Sequence, residues 1–343
     1  VLITGHTGFC GGWLALWLKE LDCEVAGLAL LPETEPSLFA AADMAATIPT
    51  DIVDIRDRAG VARTVARIRP SVVFHLAAQP LVRRSYREPV ETFDTNVQGT
   101  VHVLDAARAA DVKALVAVTT DKVYRNLEAG RAFLENDELG GHDPYSASKA
   151  AAEMVIQSYQ KSFGDEISIV AARGGNIIGG GDWSEDRLIP DAVRAVIESR
   201  QLELRNPNST RPWQHVLALC HGYVQLAAAL VNSPSDVRPA YNFGPDLADN
   251  LSVGEVVVLF RNAWRDVGTT FEPSAIHEAG LLAVNSQLAR QELGWKPALT
   301  TAEAVAWTAE WYESFHDRGA SAAAITREQI LRYRDRCGIT GVC

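Results

Sequence analysis

The sequence predicts an α/β fold, a doubly wound parallel sheet followed by a smaller α/β C-terminal unit. Three observations carry the prediction. Apolar runs of strand length recur at residues 1–4, 71–78, 114–118 and 167–172, and such runs suit parallel strands buried on both faces. Segments with helical apolar spacing alternate with them, as at 13–21 and 90–104. A glycine-rich turn joins the first strand to the first helix.

Residues 1–4 run into Gly5-His6-Thr7-Gly8-Phe9-Cys10-Gly11-Gly12, and Trp13, Leu14, Leu16, Trp17, Leu18 and Leu21 follow at helical spacing. Strand, glycine turn and helix are the context in which a glycine pattern becomes a phosphate-binding loop. The backbone approaches the pyrophosphate closely, and the helix N-terminus offers amides and partial positive charge. A purely structural turn uses the same residues; the context favours the loop. Residues 1–175 are therefore expected to form a Rossmann-type nucleotide domain, with a returning segment around 214–240. Residues 176–343 are expected to be mainly a substrate domain.

The second strand, 24–29, lacks the acid that often meets ribose hydroxyls at its end, or has it displaced to Glu33, which leaves NADP open beside NAD. Beyond the third strand, Asp54 and Ile55 fall where adenine would lie, while Asp57 suits a helix N-cap. The fourth strand ends in Ala77 and Ala78, small enough for a close cofactor. Arg83, Arg84 and Arg87 follow as a basic cluster, read either as a solvated face or as a loop facing an anion. Val90, Phe93, Val97, Val101 and Leu104 outline the next helix. Asn96 within it is either a satisfied core amide or a clamp on backbone near the site.

The strand at 114–118 delivers Thr119, Thr120, Asp121 and Lys122 to its end, putting hydroxyl, carboxyl and amine side by side. Tyr145 and Lys149 are four residues apart and share one helical face. A lysine ammonium one turn away favours a phenolate, so Tyr145 is a candidate base. Further on, Ser252 suits a cap for a helix over 253–267, and Gly294 with Pro297 a helix stop. Trp307, Trp311 and Tyr312 read as core, as does His215.

Composition narrows the function. With 32 basic and 43 acidic residues the formal charge is −11, against general nucleic-acid binding. The five cysteines (10, 23, 220, 337 and 343) form no CxxC pair, which suits a reduced, cytoplasmic setting with no structural zinc or other metal. No apolar stretch has the length of a membrane span. No signal-peptide pattern opens the chain; it begins at Val1 inside a strand, and its natural start is expected upstream.

Gly5-xx-Gly8-xx-Gly11, Asp54-Ile55, His75-Leu-Ala-Ala78 and Tyr145-xxx-Lys149, in this order, resemble the extended short-chain dehydrogenase/reductase family in its nucleotide-sugar branch. Residues 79–86, Asp121-Lys122, 140–145, 179–183 and 210–216 are similar to the 4,6-dehydratases of that branch that use CDP-glucose. The resemblance implies NAD held by Gly5, Thr7, Gly8, Phe9, Gly11, Asp54, Ile55, Ala77, Ala78, Gln79, Asn96, Thr119, Tyr145 and Lys149. It implies a partner that is CDP-glucose or a related nucleotide sugar, touched by Arg84, Asn176, Arg187, Arg211 and Asn242, and a homodimer or higher homo-oligomer.

It implies chemistry by Thr120, Asp121, Lys122, Tyr145 and Lys149. Tyr145 takes the 4-hydroxyl proton, Thr120 aligns the 4-oxygen, and Asp121 gives a proton to the departing 6-hydroxyl. Lys122 departs from the glutamate expected next to the aspartate: it is either a neutral amine that removes the C5 proton or a cation beside the enolate. A C4 epimerase, another nucleotide-sugar dehydratase and a non-catalytic NAD-binding regulator are the rival readings. An epimerase has no use for Asp121.

Overall fold

The computed structural model describes residues 1–127, 130–272 and 282–339. Six short strands, β1 (Leu2–Thr4), β2 (Ala26–Ala29), β3 (Thr50–Ile52), β4 (Val72–His75), β5 (Ala114–Val118) and β6 (Ser168–Gly174), are joined by Ala240–Phe243 in one seven-stranded sheet. The order from one edge is Ala240–Phe243, β6, β5, β4, β1, β2, β3, and every pairing is parallel. Leu2 stands opposite both Ala26 and Val73, so β1 is the point from which the chain winds in two directions. Such a switch point opens a crevice at the carboxyl ends of the strands.

Helices cover both faces, and the chain has two further short ones, α2 (Leu38–Ala41) and α4 (Val82–Arg87). On one side α3 (Arg58–Ile68), α6 (Gly99–Ala109) and α7 (Pro144–Ser162) bury Val61, Val65, Val103, Leu104 and Ile156 against Leu2, Val73 and Leu115. On the other, α1 (Phe9–Lys19) packs Trp13 and Trp17 with the helix Val216–Asn232, and this core continues into the C-terminal half through Trp295, Trp307, Trp311 and Tyr312. The sheet thus takes in residues well past 176, because the chain returns through Val216–Asn232 to lay down Ala240–Phe243. Among the described residues three small strand pairs complete the other half, one of them Leu202–Leu204 with Thr269–Phe271. No helix among the described residues is long and apolar enough to cross a membrane.

Several local expectations change. The helix expected through 90–104 is two, α5 (Pro89–Phe93) and α6, joined by a π-helical turn at Asp94–Gln98 that carries Asn96. Val90 and Phe93 face outward, since only the second half of the apolar pattern meets the sheet. Asp57 occupies the N-cap of α3 without a capping hydrogen bond; its carboxylate lies 3.9 Å from Arg63 instead. Ser252 does cap its helix, in a reciprocal box with Glu255, but that helix stops at Ala263. There Trp264 donates its indole N–H to Asp317 at 2.8 Å and the chain leaves for the strand at Thr269–Phe271. Gly294 adopts φ of +66° just after the helix Gln287–Glu292.

Candidate active site

A cleft of about 960 Å³ lies along the carboxyl ends of β1, β2, β4, β5 and β6 and is walled on its far side by Arg187, Leu204, Arg205, Arg211 and Trp213. The glycine loop forms one end. Gly5 has φ of +80°, and a Cβ on it would sit 2.7 Å from the Ala77 amide nitrogen. A Cβ on Gly11 would lie 2.2 Å from the Gly5 carbonyl oxygen. Both glycines are required by close packing. Gly8, at the N-cap of α1, is exposed toward the cleft, and a Cβ there would meet nothing nearer than 3.4 Å. The loop is a bare backbone cradle at a helix N-terminus, which suits a dinucleotide pyrophosphate. Thr7 fixes it by donating to the Leu30 carbonyl at 2.8 Å.

Phe9, Asp54, Ile55, Ala77, Ala78, Gln79 and Thr119 line the same cleft. Asp54 is held by Arg56, whose guanidinium and backbone N–H bond its carboxylate and keep it below the usual carboxylate range. Asn96 is buried behind the wall. It accepts from the Gln79 N–H at 2.8 Å and donates to the Gln79 carbonyl and to Ser148, so it clamps the loop after β4 rather than facing the cleft. Its π-helical turn sets that reach.

At the centre, Asp143 caps α7 by accepting from the Ser146 N–H at 2.9 Å, and the helix carries Tyr145 and Lys149 into the cleft. Thr120, at the end of β5, hydrogen-bonds with Tyr145 and donates to Asp121 Oδ1 at 3.0 Å. Lys122 Nζ donates to the same oxygen at 3.1 Å and lies 3.5 Å from Asn176 Oδ1. Lys149 Nζ donates to the Val118 carbonyl at 3.1 Å. Burial pushes the Tyr145 phenol up to about 12, against the pull of the Thr120 hydrogen bond and Arg187. Burial lowers Lys149 to about 8, against Glu153. Thr120, Lys122, Tyr145, Lys149 and Asn176 all line the cleft, while Asp121 is fully buried just beneath Thr120 and Lys122. Its Oδ2 has no hydrogen-bond partner and packs on Gly175, where a Cβ would fall 2.0 Å from that oxygen.

Two expected substrate contacts have protein partners of their own, and one of them does not reach the cleft. Arg84 reaches the cleft edge but bonds Glu33 at 2.8 Å and Glu88 at 2.7 Å and lies 3.4 Å from Glu91; three carboxylates absorb its charge. The same bond ties up Glu33, the displaced candidate for ribose. Asn242 is fully buried and does not reach the cleft: it accepts from the Tyr124 hydroxyl at 2.6 Å and donates to the Phe133 carbonyl at 3.0 Å. Arg187, 3.3 Å from Asp182, and Arg211 remain on the cleft wall with Asn176. His215 is a buried core residue at the N-cap of the helix Val216–Asn232.

Sequence reasoning missed the layer behind the site. Arg173, inside the apolar strand β6, makes a bidentate pair with Glu153 of α7, both bonds 2.8 Å. It also donates to the Tyr124 hydroxyl at 2.9 Å and the Glu135 carbonyl at 2.8 Å. A charged residue within a buried strand signals a buried partner, and Glu153, after three alanines on the face of Lys149, was the available acid.

Residues 1–244 match the NAD dependent epimerase/dehydratase family. The chain belongs to this family. It is 39% identical to the CDP-glucose 4,6-dehydratase of Salmonella typhimurium strain LT2, over 97% of this chain and 95% of that protein. It is 31% identical to the dTDP-glucose 4,6-dehydratase of Streptomyces griseus, over 91% and 93%. Among solved structures it is similar to DesIV, a dTDP-glucose 4,6-dehydratase from Streptomyces venezuelae with NAD and TYD bound. There the TM-score is 0.78 and the identity 26%, over 93% of this chain and 97% of that one. The UDP-glucose 4-epimerase of Thermus thermophilus in complex with NAD gives a TM-score of 0.79 and 25% identity, over 91% and 98%. The fold is therefore that of the family's epimerases and dehydratases, and the residues around the glycine cradle fit the dinucleotide in the family's name.

Proposed function

We propose that this protein is a nucleotide-sugar 4,6-dehydratase that converts CDP-D-glucose to CDP-4-keto-6-deoxy-D-glucose with NAD as its resident cofactor. The observation that carries the reading is the Asp121–Lys122 ion pair set beside Thr120 and Tyr145. An epimerase needs the tyrosine, the lysine and a hydroxyl, but not a carboxyl and an amine next to them. Similarity to the Salmonella enzyme over almost the whole chain supports CDP-glucose as the substrate.

Gly5, Gly8 and Gly11 would hold the pyrophosphate, Asp54 and Ile55 the adenosine end, and Thr119 and Lys149 the nicotinamide ribose. The chemistry the nicotinamide supplies is reversible hydride acceptance, from C4 at the start and back to C6 at the end. Tyr145, in the phenolate form that the Thr120 hydrogen bond and Arg187 favour against burial, takes the proton of the 4-hydroxyl, with Thr120 aligning that oxygen. The C4 ketone acidifies C5–H. One proton moved across the 3.1 Å hydrogen bond turns the Lys122–Asp121 ion pair into an amine and a carboxylic acid, the states elimination requires. Lys122 then takes the C5 proton while Asp121 protonates the departing 6-hydroxyl, which leaves as water, and the ion pair is restored. Lys122 later returns its proton to C5, and the proton that Tyr145 took from O4 passes along Thr120 and Asp121 to Lys122, which restores the starting states of all three groups. Asn176, Arg187 and Arg211 would bind the sugar and diphosphate.

A homodimer and a cytoplasmic setting belong to the same reading. Val90 and Phe93 on α5 and Met154 on the neighbouring α7 expose apolar side chains. The cysteines among the described residues form no disulfide; Cys343 lies outside those residues.

The test is turnover of CDP-, dTDP-, UDP- and GDP-hexoses with NAD⁺ or NADP⁺. A 4-ketone absorbing in alkali, formed from CDP-glucose with NAD⁺, is the expected product; an isomeric intact hexose would make the protein an epimerase. Asp121→Asn is expected to stop dehydration yet still build up the 340 nm absorbance of reduced cofactor. Retention of normal C5 deuterium washout by Lys122→Met would remove Lys122 as the C5 base.

A further inference from the structure

Behind the site lies a buried ion pair between Arg173 and Glu153. Glu153 is fully buried, and Arg173 is buried beside it. Taking two charges out of water is expensive, and a well-packed apolar pair of similar size is often as stable or more so. Such a pair is therefore weak evidence for stability, and its location matters more.

Glu153 sits one turn beyond Lys149 on α7. Its Oε1 accepts from the Thr119 hydroxyl at 2.5 Å and from Arg173 Nε at 2.8 Å, and its Oε2 accepts from Arg173 Nη2 at 2.8 Å. Thr119 is the first residue after β5. Its backbone N–H reaches the Ala172 carbonyl on β6 at 2.9 Å. The residue before it, Val118, receives Lys149 Nζ, and the residue after it, Thr120, bonds Tyr145 and Asp121. One carboxylate thus joins the ends of two strands to the helix that bears the tyrosine and lysine.

We propose that Glu153, clamped by Arg173, is a positioning residue: it sets the register of Thr119–Lys122 against Tyr145 and Lys149 and provides the negative charge that offsets the buried Lys149 ammonium. This rests on the dehydratase reading for its catalytic consequence, but its electrostatic part does not. The titratable groups facing Lys149 are Glu153 and Tyr145 on its own helix and His75 on β4. His75 is held neutral, lowered to about 3 by burial and by Lys149 itself. Glu153 is the one that favours the charged lysine. Arg173 pairs with both oxygens of Glu153 and reaches on to Tyr124 and Glu135, and the charge that acts on Lys149 is that of Glu153.

The experiment compares Glu153→Gln, Glu153→Asp, the neutral pair E153Q/R173M and Thr119→Val with the parent protein. The chain has six lysines, so ¹³Cε-lysine NMR resolves them, with Lys149 assigned by its loss in K149R. The Lys149 midpoint, about 8 in the parent, is expected to fall by about half a unit or more in E153Q and E153Q/R173M and to stay in place in E153D and T119V. With CDP-glucose, kcat is expected to fall about tenfold in E153Q/R173M and in T119V with KM little changed, and the alkaline limb of the pH profile to move down only where the Glu153 charge is lost. E153D is expected to restore part of kcat.

A folded E153Q/R173M that changes only its melting temperature, with parental Lys149 midpoint, kcat and pH profile, would overturn the proposal. If that double variant does not fold, T119V with parental kcat overturns the positioning part and E153Q with a parental midpoint overturns the charge part. A parent protein that turns over no nucleotide sugar would sink the dehydratase reading alone, since the lysine midpoints are still read.

Discussion

At the floor of the cleft Asp121, Tyr145 and Lys149 are each less than a tenth exposed, and their polar atoms meet Thr120, Lys122 and the Val118 carbonyl in fixed geometry. At its rim Arg84, Arg83 and Arg87 meet Glu33, Glu88, Glu91, Asp186 and Glu185, and most of these acids are substantially exposed. The same kinds of interaction mean different things in the two places. Exposed ion pairs contribute little and exchange partners readily, because water competes for both charges. Buried ones have no alternative partner, so removing one member leaves a stranded polar group. The floor should therefore be intolerant of half-ångström changes, and the rim tolerant of lost charges.

The largest effect expected is at Gly175. Alanine there places its Cβ 2.0 Å from the side-chain oxygen Asp121 Oδ2, and Thr120 and Lys122 hold that carboxylate through Oδ1. Turnover is expected to fall about a hundredfold or more, because misplacing a reacting group by about an ångström has that cost, while circular dichroism stays native. Parental turnover in Gly175→Ala would show that the floor adapts, and the contrast with the rim would fail.

An intermediate effect separates the two sides of the rim. Arg211→Ala is expected to raise KM for the nucleotide sugar about tenfold with kcat little changed, and Arg84→Ala to alter either constant less than about threefold and stability by less than about 1 kcal/mol. Steady-state kinetics and urea denaturation check both. A larger loss in Arg84→Ala than in Arg211→Ala would return Arg84 to the substrate.

The smallest effect near neutrality is a pH dependence of stability. Burial lowers His6 and His221 to about 4 and His75 and His215 to about 3, all from 6.5. The unfolded chain then binds more protons than the folded one below 6.5, so the stabilising contribution is present above that pH and is lost as pH falls toward 4 and 3. Urea midpoints measured from pH 7 down to 5 are expected to decline steadily. A flat profile would mean that these rings titrate normally in the fold.

Much of the floor was legible because its parts are contiguous. Tyr145 and Lys149 need only a helix to share a face, and Thr119 to Lys122 need only the strand before them to reach a sheet edge. The glycine loop was legible for the same reason. The partners of Asn242 and Arg84 are not legible from chain order, since they are far away in sequence: Asn242 meets Tyr124, and Arg84 meets Glu33. Nothing in their own neighbourhoods says which polar group each will face. Arg173 directly follows the apolar run 167–172 and Glu153 follows three alanines, and neither position names its partner. A helical acid reads as solvated until the strand behind it is known to carry its counterion.

The sequence by itself determined the periodic and local features: buried strands from apolar runs, a phosphate cradle from glycines between a strand and a helix, and a tyrosine–lysine pair one turn apart. These depend on backbone geometry within a few residues. Only the tertiary structure decided which polar side chains open on the cleft, which are neutralised at its rim, and which stand behind it. Those outcomes depend on what other strands and helices bring within about 3 Å, the range over which a hydrogen bond forms, and no spacing along the chain specifies that.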